Sequence, residues 1–273
     1  MIPPDTLLYV YEIRGDACRD LHSPPPSYIG LWNEDEFAYL FFVKQEDDFV
    51  YDTVCSGRTD QVSRHEMRYE DWQKGLPAGG ITLAGIHFVG RDHPAPPPGA
   101  VVMDPSVVFG DGNHPTTVGC LGFMRDILGR HAIGSMLDLG TGTGILSLAG
   151  ATMGIGRIVA VDKNLLAVST ARENVRANSL SSEISVREGE ARLFINEPFD
   201  LVAANLPFHV LRDLVPLKDS AVHGHWIVSG INEEQADLLQ GLFLDQGYRL
   251  TDKRSDPPWV TFTVVNDRFA GVP

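Results

Sequence analysis

Long apolar runs are missing from this sequence. Nowhere do about 18 apolar residues follow one another, so no membrane-spanning helix is expected. Cysteine is scarce. Cys18, Cys55 and Cys120 are odd in number and widely spaced, which fits a reducing compartment and argues against a disulfide framework or a metal site. The opening MIPPDTLLYVYEIRGD has no basic start followed by an apolar core. No secretory signal is expected, and a cytoplasmic location is. Internal repeats and low-complexity tracts are absent from the sequence. Positive charge is also short: 22 Lys and Arg face 36 Asp and Glu, a net charge of −14. Residues 1–100 hold 16 acids and 8 Lys and Arg, so the shorter segment is the more acidic. This balance argues against direct binding of a phosphate backbone. It suits a basic protein partner or a small cation, and it also serves solubility.

What is present is ordinary for a soluble globular protein: 43% hydrophobic and 21% charged residues in a chain of 273. That length allows one large domain or two modest ones. Over residues 1–90, runs at 7–13, 28–32, 37–43 and 49–54 read as strands, with turns at 23–26 and 33–36. Residues 64–73 read as a short helix and 81–89 as a strand. The result is a small β-rich or α+β domain with no catalytic constellation, in which His65 and His87 read as surface or core residues. Residues 91–99 are proline-rich and read as a semi-rigid linker. The expected organisation is an N-terminal domain over 1–92, a linker over 93–100 and a second domain over 101–273.

After the linker, strands and helices alternate, the signature of a mostly parallel sheet. Helices are expected at 116–129, from 145, at 165–178, 210–215 and 232–246. Strands are expected at 135–139, 158–161, 184–187, 199–204 and 225–229. Two last strands near 248–252 and 259–265, split by a turn at 255–258, suit an antiparallel hairpin at a sheet edge.

The chain is organised around residues 135–146, a buried strand, a glycine turn and a helix start. Asp138 ends the strand, and Gly140, Gly142 and Gly144 are expected to let the backbone pass close to a ligand where a Cβ would clash. The following helix offers unpaired N–H groups at the same spot. A second strand ends in Asp162, a carboxylate suited to a ribose's two hydroxyls. The glycine spacing is G-x-G-x-G, not the dinucleotide G-x-G-x-x-G, which makes a dehydrogenase the weakest reading.

The pattern D-x-G-x-G-x-G followed by an acid after the next strand resembles class I S-adenosylmethionine-dependent methyltransferases. Two further stretches sharpen the likeness. One is Asp104-Pro105-Ser106-Val107-Val108-Phe109-Gly110-Asp111-Gly112-Asn113-His114-Pro115-Thr116-Thr117, and the other is Asn205-Leu206-Pro207-Phe208. The first resembles a segment of the PrmA family, the methyltransferases of large-subunit ribosomal protein L-eleven. Asp71-Trp72, Ser229-Gly230-Ile231, Glu234-Gln235 and Trp259 are further matches, and the likeness runs from about residue 69 to 265. Residues 1–68 do not obviously match, and Asn205-Leu206-Pro207-Phe208 leans toward the N-P-P-[FY] pattern of amine and amide N-methyltransferases. The implied fold is α/β: a Rossmann-like seven-stranded sheet with a smaller N-terminal β-rich or α+β domain that recruits substrate.

The resemblance places S-adenosyl-L-methionine against Thr117, Gly140, Asp162 and Asn205, with Gly142 and Gly144 lining the turn. Asp138 is a candidate for the methionine ammonium, directly or through water, and Glu190 for the adenine amine; a solvated loop carboxylate is the other reading of Glu190. Thr116 and Thr117 could instead cap a helix. Asn205 and the carbonyl of Leu206 are expected to hold two N–H groups of an amine. Phe109 and Phe208 are expected to wall the site, where they could contact a methylated ammonium, although each could be simple core. His114 is weighed as a base and as a loop-shaping residue. No metal is expected. The implied reaction is N-methylation of a protein amine, a lysine or an N-terminus, on a basic partner such as a ribosomal protein. The alternatives are another protein or a small-molecule amine as acceptor, or a catalytically silent cofactor-binding scaffold.

Overall fold

The computed structural model describes residues 2–3, 5–14, 21, 23–34, 37–54, 62–72, 76–215 and 224–266. Cys18 and Cys55 lie outside them, while Cys120 is buried. Alternating residues near the start pair into one sheet. β1 (Leu7–Arg14) lies between β3 (Phe37–Phe42) and β4 (Val62–Arg68), antiparallel to both. β2 (Tyr28–Glu34) pairs with the far side of β3. Successive side chains point to opposite faces, so Tyr11 and Ile13 enter one core and Leu8 and Val10 another.

Three expectations need correcting here. Residues 49–54 form a π-helical turn (Phe49–Val54), not a strand. The Val50 N–H reaches back to the Glu46 carbonyl at 3.0 Å, and Val50 is fully buried beside Phe42. Their aromatic and β-branched composition reflects burial rather than extension. Residues 64–72 are not one helix, and Gln73 lies outside the described residues. The available edge of β1 captures 62–68 as β4, and only Tyr69–Trp72 curl into a short helix, α1. Residues 81–89 are a hairpin, not one strand. β5 (Ile81–Leu83) and β6 (Ile86–Gly90) turn at Ala84 and Gly85, which have φ of 50° and 87°. Positive φ at both central residues matches the twist of paired strands.

β7 (Val101–Met103) pairs in parallel with β6, so the proline-rich stretch connects neighbours in one three-stranded sheet. Beyond it the α/β alternation holds. The elements are α2 (Pro115–Leu128), β8 (Ser135–Leu139), α3 (Ile145–Thr152), β9 (Arg157–Asp162), α4 (Leu165–Ala177), β10 (Ile184–Glu188), β11 (Leu201–Asn205), α5 (Phe208–Leu214), β12 (His225–Ile231), α6 (Glu233–Asp245), β13 (Tyr248–Asp256) and β14 (Trp259–Asn266). α5 starts earlier than expected, and β13 runs on, so the turn before β14 narrows to Pro257 and Pro258.

The seven strands order as β10-β9-β8-β11-β12-β14-β13, with β14 antiparallel to both neighbours. One face buries Met136, Leu201 and Ala203 against α2 and α3; the other buries Leu137, Val202 and Ala204 against α5 and α6. The four-stranded sheet shares a core with this domain. Leu8, Val10, Phe41 and Tyr69 pack with Val107, Val108, Leu166 and Ala167. Each buried Leu, Val or Phe among them contributes about 1.5–3 kcal/mol.

Candidate active site

Strand order reverses between β8 and β11, whose neighbours on the outer sides run through β9 and β12. In an open α/β sheet, ligands bind beyond the carboxyl ends of strands at such a point. Asp138 pairs in register with Ala203, and Asn205 lies two residues on. Side chains alternate along a strand, so Asp138 and Asn205 face the same side of the sheet.

The glycine turn is pinned to β9. The N–H groups of Gly140 and Thr141 both donate to the Val161 carbonyl at 2.9 Å. Gly140, Gly142 and Gly144 all have positive φ, at 71°, 55° and 86°. The protein atoms that a Cβ would meet differ from one glycine to the next. A Cβ on Gly142 would lie 2.6 Å from the Phe109 carbonyl oxygen, and one on Gly140 would strike the Leu206 side chain. At Gly144 the nearest atom is the Ala171 Cβ, at 3.4 Å. Gly142 is thus the glycine that lets the chain's own loop close over the turn.

That loop, residues 104–114, is stapled down from several sides. Thr143 donates its N–H to the Phe109 carbonyl at 3.2 Å and its hydroxyl to the Gly110 carbonyl at 2.7 Å. The fully buried Asn174 on α4 accepts from the Asp104 N–H and donates to the carbonyls of Asp104 and Thr143. Asn178, one turn on, clamps both backbone groups of Val102. Sequence reading missed Asn174 and Asn178. Two amides four residues apart on one helix face were the available signal.

Asp138 is completely buried. Its Oδ2 accepts from the hydroxyls of Thr141 at 2.7 Å and Ser147 at 2.6 Å. Its Oδ1 has no hydrogen-bond partner among the described residues. Burial pushes the acid up to about 6, against the pull of those two hydroxyls. Asp162 is also shifted upward by burial, opposed by backbone N–H groups. It accepts from Gly142 N–H at 3.0 Å and Asn164 N–H at 2.9 Å, one on each oxygen. A carboxylate has about four lone-pair sites, so each oxygen keeps acceptor capacity.

The polar segment before α2 reaches Asn205. Asn205 Nδ2 donates to Thr116 Oγ1 at 3.1 Å, and Thr116 Oγ1 lies 2.7 Å from His114 Nδ1. His114 also caps α2, accepting from the Thr116 N–H at 3.4 Å. The cap is therefore His114, not Thr116 or Thr117. With Nδ1 accepting, the ring caps α2, and burial holds the imidazole below its ordinary pKa. Thr117 is buried beside it, but Thr116 is the threonine that meets Asn205. The His114 ring lies between Phe109 at 5.2 Å and Trp259 at 5.0 Å. Phe109 is 51% exposed at this mouth. Next to Trp259, a cleft of about 320 Å³ is lined by Asn232, Glu234, Pro257 and Pro258, among others.

The remaining candidates spread along the rim. The Leu206 N–H donates to the Ser229 carbonyl at 3.1 Å. Gly230, with φ of 88°, lets its backbone pack close against that of Leu206, since a Cβ there would lie 2.5 Å from the Leu206 carbonyl oxygen. Phe208 starts α5, packs partly against the core and lies under the Arg212 guanidinium at 6.0 Å. Glu190 is exposed beyond β10 and precedes a short 3-10 turn without capping it.

A seven-stranded sheet of this order, with a glycine turn after β8 and an acid after β9, defines a class I methyltransferase fold. The chain belongs to the ribosomal protein L11 methyltransferase (PrmA) family, whose model matches residues 49–267. A protein of that name from Heliobacterium modesticaldum is 34% identical over 229 residues, covering 83% of this chain and 66% of its own. One from Staphylococcus aureus is 34% identical over 163 residues, covering 59% of this chain and 51% of its own. The chain thus spans about half to two thirds of the length of these relatives. The crystal structure of a ribosomal protein L11 methylase from Lactobacillus delbrueckii subsp. bulgaricus superposes with a TM-score of 0.61 at 23% identity. It covers 68% of this chain and 98% of that one, a likeness of fold.

Proposed function

We propose that this chain transfers a methyl group from S-adenosylmethionine to an amine of a basic protein. The observation that carries the reading is the meeting at one rim of a buried carboxylate oxygen without a partner, Asp138 Oδ1, and the carboxamide of Asn205. A buried anionic oxygen needs a donor, and a ligand ammonium, directly or through one water, satisfies it. Asp162 has spare lone pairs for two ribose hydroxyls, and exposed Glu190 is open to an adenine amine. When bound, S-adenosylmethionine supplies a methyl already activated on a sulfonium.

The chain's residues then have to position the acceptor and exclude water. Asn205 donates its NH2 to Thr116, which leaves Oδ1 to accept an N–H from the incoming amine. The carbonyl of the half-buried Leu206 is the second acceptor in this reading. Two acceptors on one nitrogen aim its lone pair. Phe109, half-exposed beside His114, offers a ring face to a methylated ammonium. An apolar mouth also lowers the pKa of a lysine, whose ordinary value is about 10.4.

The acceptor favoured by the relatives' name is ribosomal protein L11. The net charge of −14 suits that kind of basic partner. Residues 1–92 are proposed as the recruiting module, and the cytoplasm as the place of work. The test is incubation with labelled cofactor and L11, with peptide mapping of the label. Label on lysines or the N-terminus supports the reading. Cofactor binding with label on no protein, but on small amines of a cell extract, moves the acceptor class; binding without any turnover leaves a silent scaffold.

A further inference from the structure

The loop over residues 104–114 is held from one side by the glycine turn and from the other by the N-terminal part of the chain. On that second side, Trp72 Nε1 donates to the Val107 carbonyl at 3.0 Å, and the Tyr69 hydroxyl donates to the neighbouring Ser106 carbonyl. Both residues come from α1, the short helix that follows β4. Ser106 has φ of 51°, a conformation that costs energy in a residue with a Cβ. Such a backbone persists only where its surroundings over-determine it, and the two carbonyl anchors do so.

The next residues, Val107 and Val108, are buried with Leu8, Val10, Phe41 and Tyr69. Phe109 and Gly110 then place their carbonyls on Thr143, with the Phe109 oxygen against Gly142. Four residues further on, His114 starts the relay to Asn205. Thus only Val108 stands between the carbonyl held by Trp72 and the Phe109 carbonyl held by the Thr143 N–H. A backbone that short transmits displacement, because bond geometry leaves only two soft dihedrals per residue.

We propose that Trp72 is a positioning residue for the cofactor site. Its indole N–H sets the height of the 104–114 loop over the glycine turn, so the N-terminal module fixes the roof under which the cofactor binds. Trp72 is 41% exposed and its ring stacks edge-on against Phe41 at 5.0 Å. Packing alone would need only the ring. The directed N–H is what fixes Val107. The proposal rests on the functional reading above for the identity of the ligand, but its effect on the loop does not.

Trp72→Phe separates the two roles, since it keeps an aromatic against Phe41 and removes the donor. Phe41→Leu is the counterpart, since it loosens the same packing and leaves the donor. Calorimetry with S-adenosylmethionine on the full chain should show Trp72→Phe binding about 3- to 10-fold more weakly, the worth of one neutral hydrogen bond. Phe41→Leu should melt at a lower temperature and bind like the parent. In ligand-free protein, amide exchange at Thr143 should speed up in Trp72→Phe and stay slow in Phe41→Leu. Parent-like affinity and exchange in Trp72→Phe overturns the proposal, as does an equal loss in both variants. If the parent itself binds no S-adenosylmethionine, the functional reading fails, and the exchange rates still decide the role of Trp72.

Discussion

The carboxamide nitrogen of Asn205 donates to the hydroxyl of Thr116 across 3.1 Å, joining the end of β11 to the first turn of α2. This bond settles which way the amide points. The Thr116 hydroxyl in turn donates a hydrogen bond to His114 Nδ1, which also accepts from the Thr116 N–H, so the donors all point one way and end on a neutral imidazole. Removing Asn205 should therefore damage chemistry more than cofactor binding. We expect Asn205→Ala to lower turnover about 100-fold or more, on the scale of losing a group that orients a reactant, with cofactor affinity changed less than about 3-fold. Thr116→Val, which frees the amide to flip, should cost turnover less, about 10-fold. Initial rates with calorimetry check both. Equal losses of turnover and affinity would refute the role given to Asn205.

Asp162 serves the turn and, on our reading, the ribose. Its oxygens accept from Gly142 and Asn164. Asp162→Ala should weaken S-adenosylmethionine binding by about 1–3 kcal/mol, the worth of charged hydrogen bonds. A titration comparing the variant with the parent measures it.

Asp138 makes cofactor binding depend on pH. Its folded pKa of about 6 lies above the ordinary carboxylate value of about 3.9. Such a group favours the fold while protonated, and that contribution fades as pH rises from about 4 to about 6. A cation at Oδ1 reverses the preference by stabilising the carboxylate. Binding near pH 5.5 should therefore release protons, and affinity should fall as pH drops through 6. Calorimetry in two buffers of different ionisation enthalpy counts the protons. Asp138→Asn should abolish the difference between buffers.

At the opposite end of the sheet, His225 works on stability with the other sign. Its ring is buried, lies 4.6 Å from that of His131, and burial pushes its pKa down to about 4, with His131 adding to the shift and Asp200 opposing it. The unfolded chain binds this proton from about pH 6.5 downward, whereas the fold resists until about 4. Stability should thus fall as pH drops through that window, by up to about 3 kcal/mol at 1.36 kcal/mol per unit. Denaturant melts of His225→Gln should show a shallower decline between pH 6.5 and 4 than the parent. Identical slopes would remove His225 as the cause.

Much of the fold was legible because its signals are local. Glycines at every second position after a buried strand mark a turn wherever they occur, and the alternation of strands and helices after residue 100 needs only short windows. The same windows misread 49–54 and 64–73. There the deciding partner was remote: β1 for the second, the core around Phe42 for the first.

The amino-acid order by itself determined the glycine turn, the acids near the ends of β8 and β9, and the amide that ends β11, since backbone sterics and side-chain periodicity act over a few residues. Only the tertiary structure decided which threonine meets Asn205, 89 positions away, and that the space over Gly142 belongs to the chain's own Phe109 carbonyl. Contacts between distant segments depend on the packing of whole layers, and no local pattern encodes that geometry.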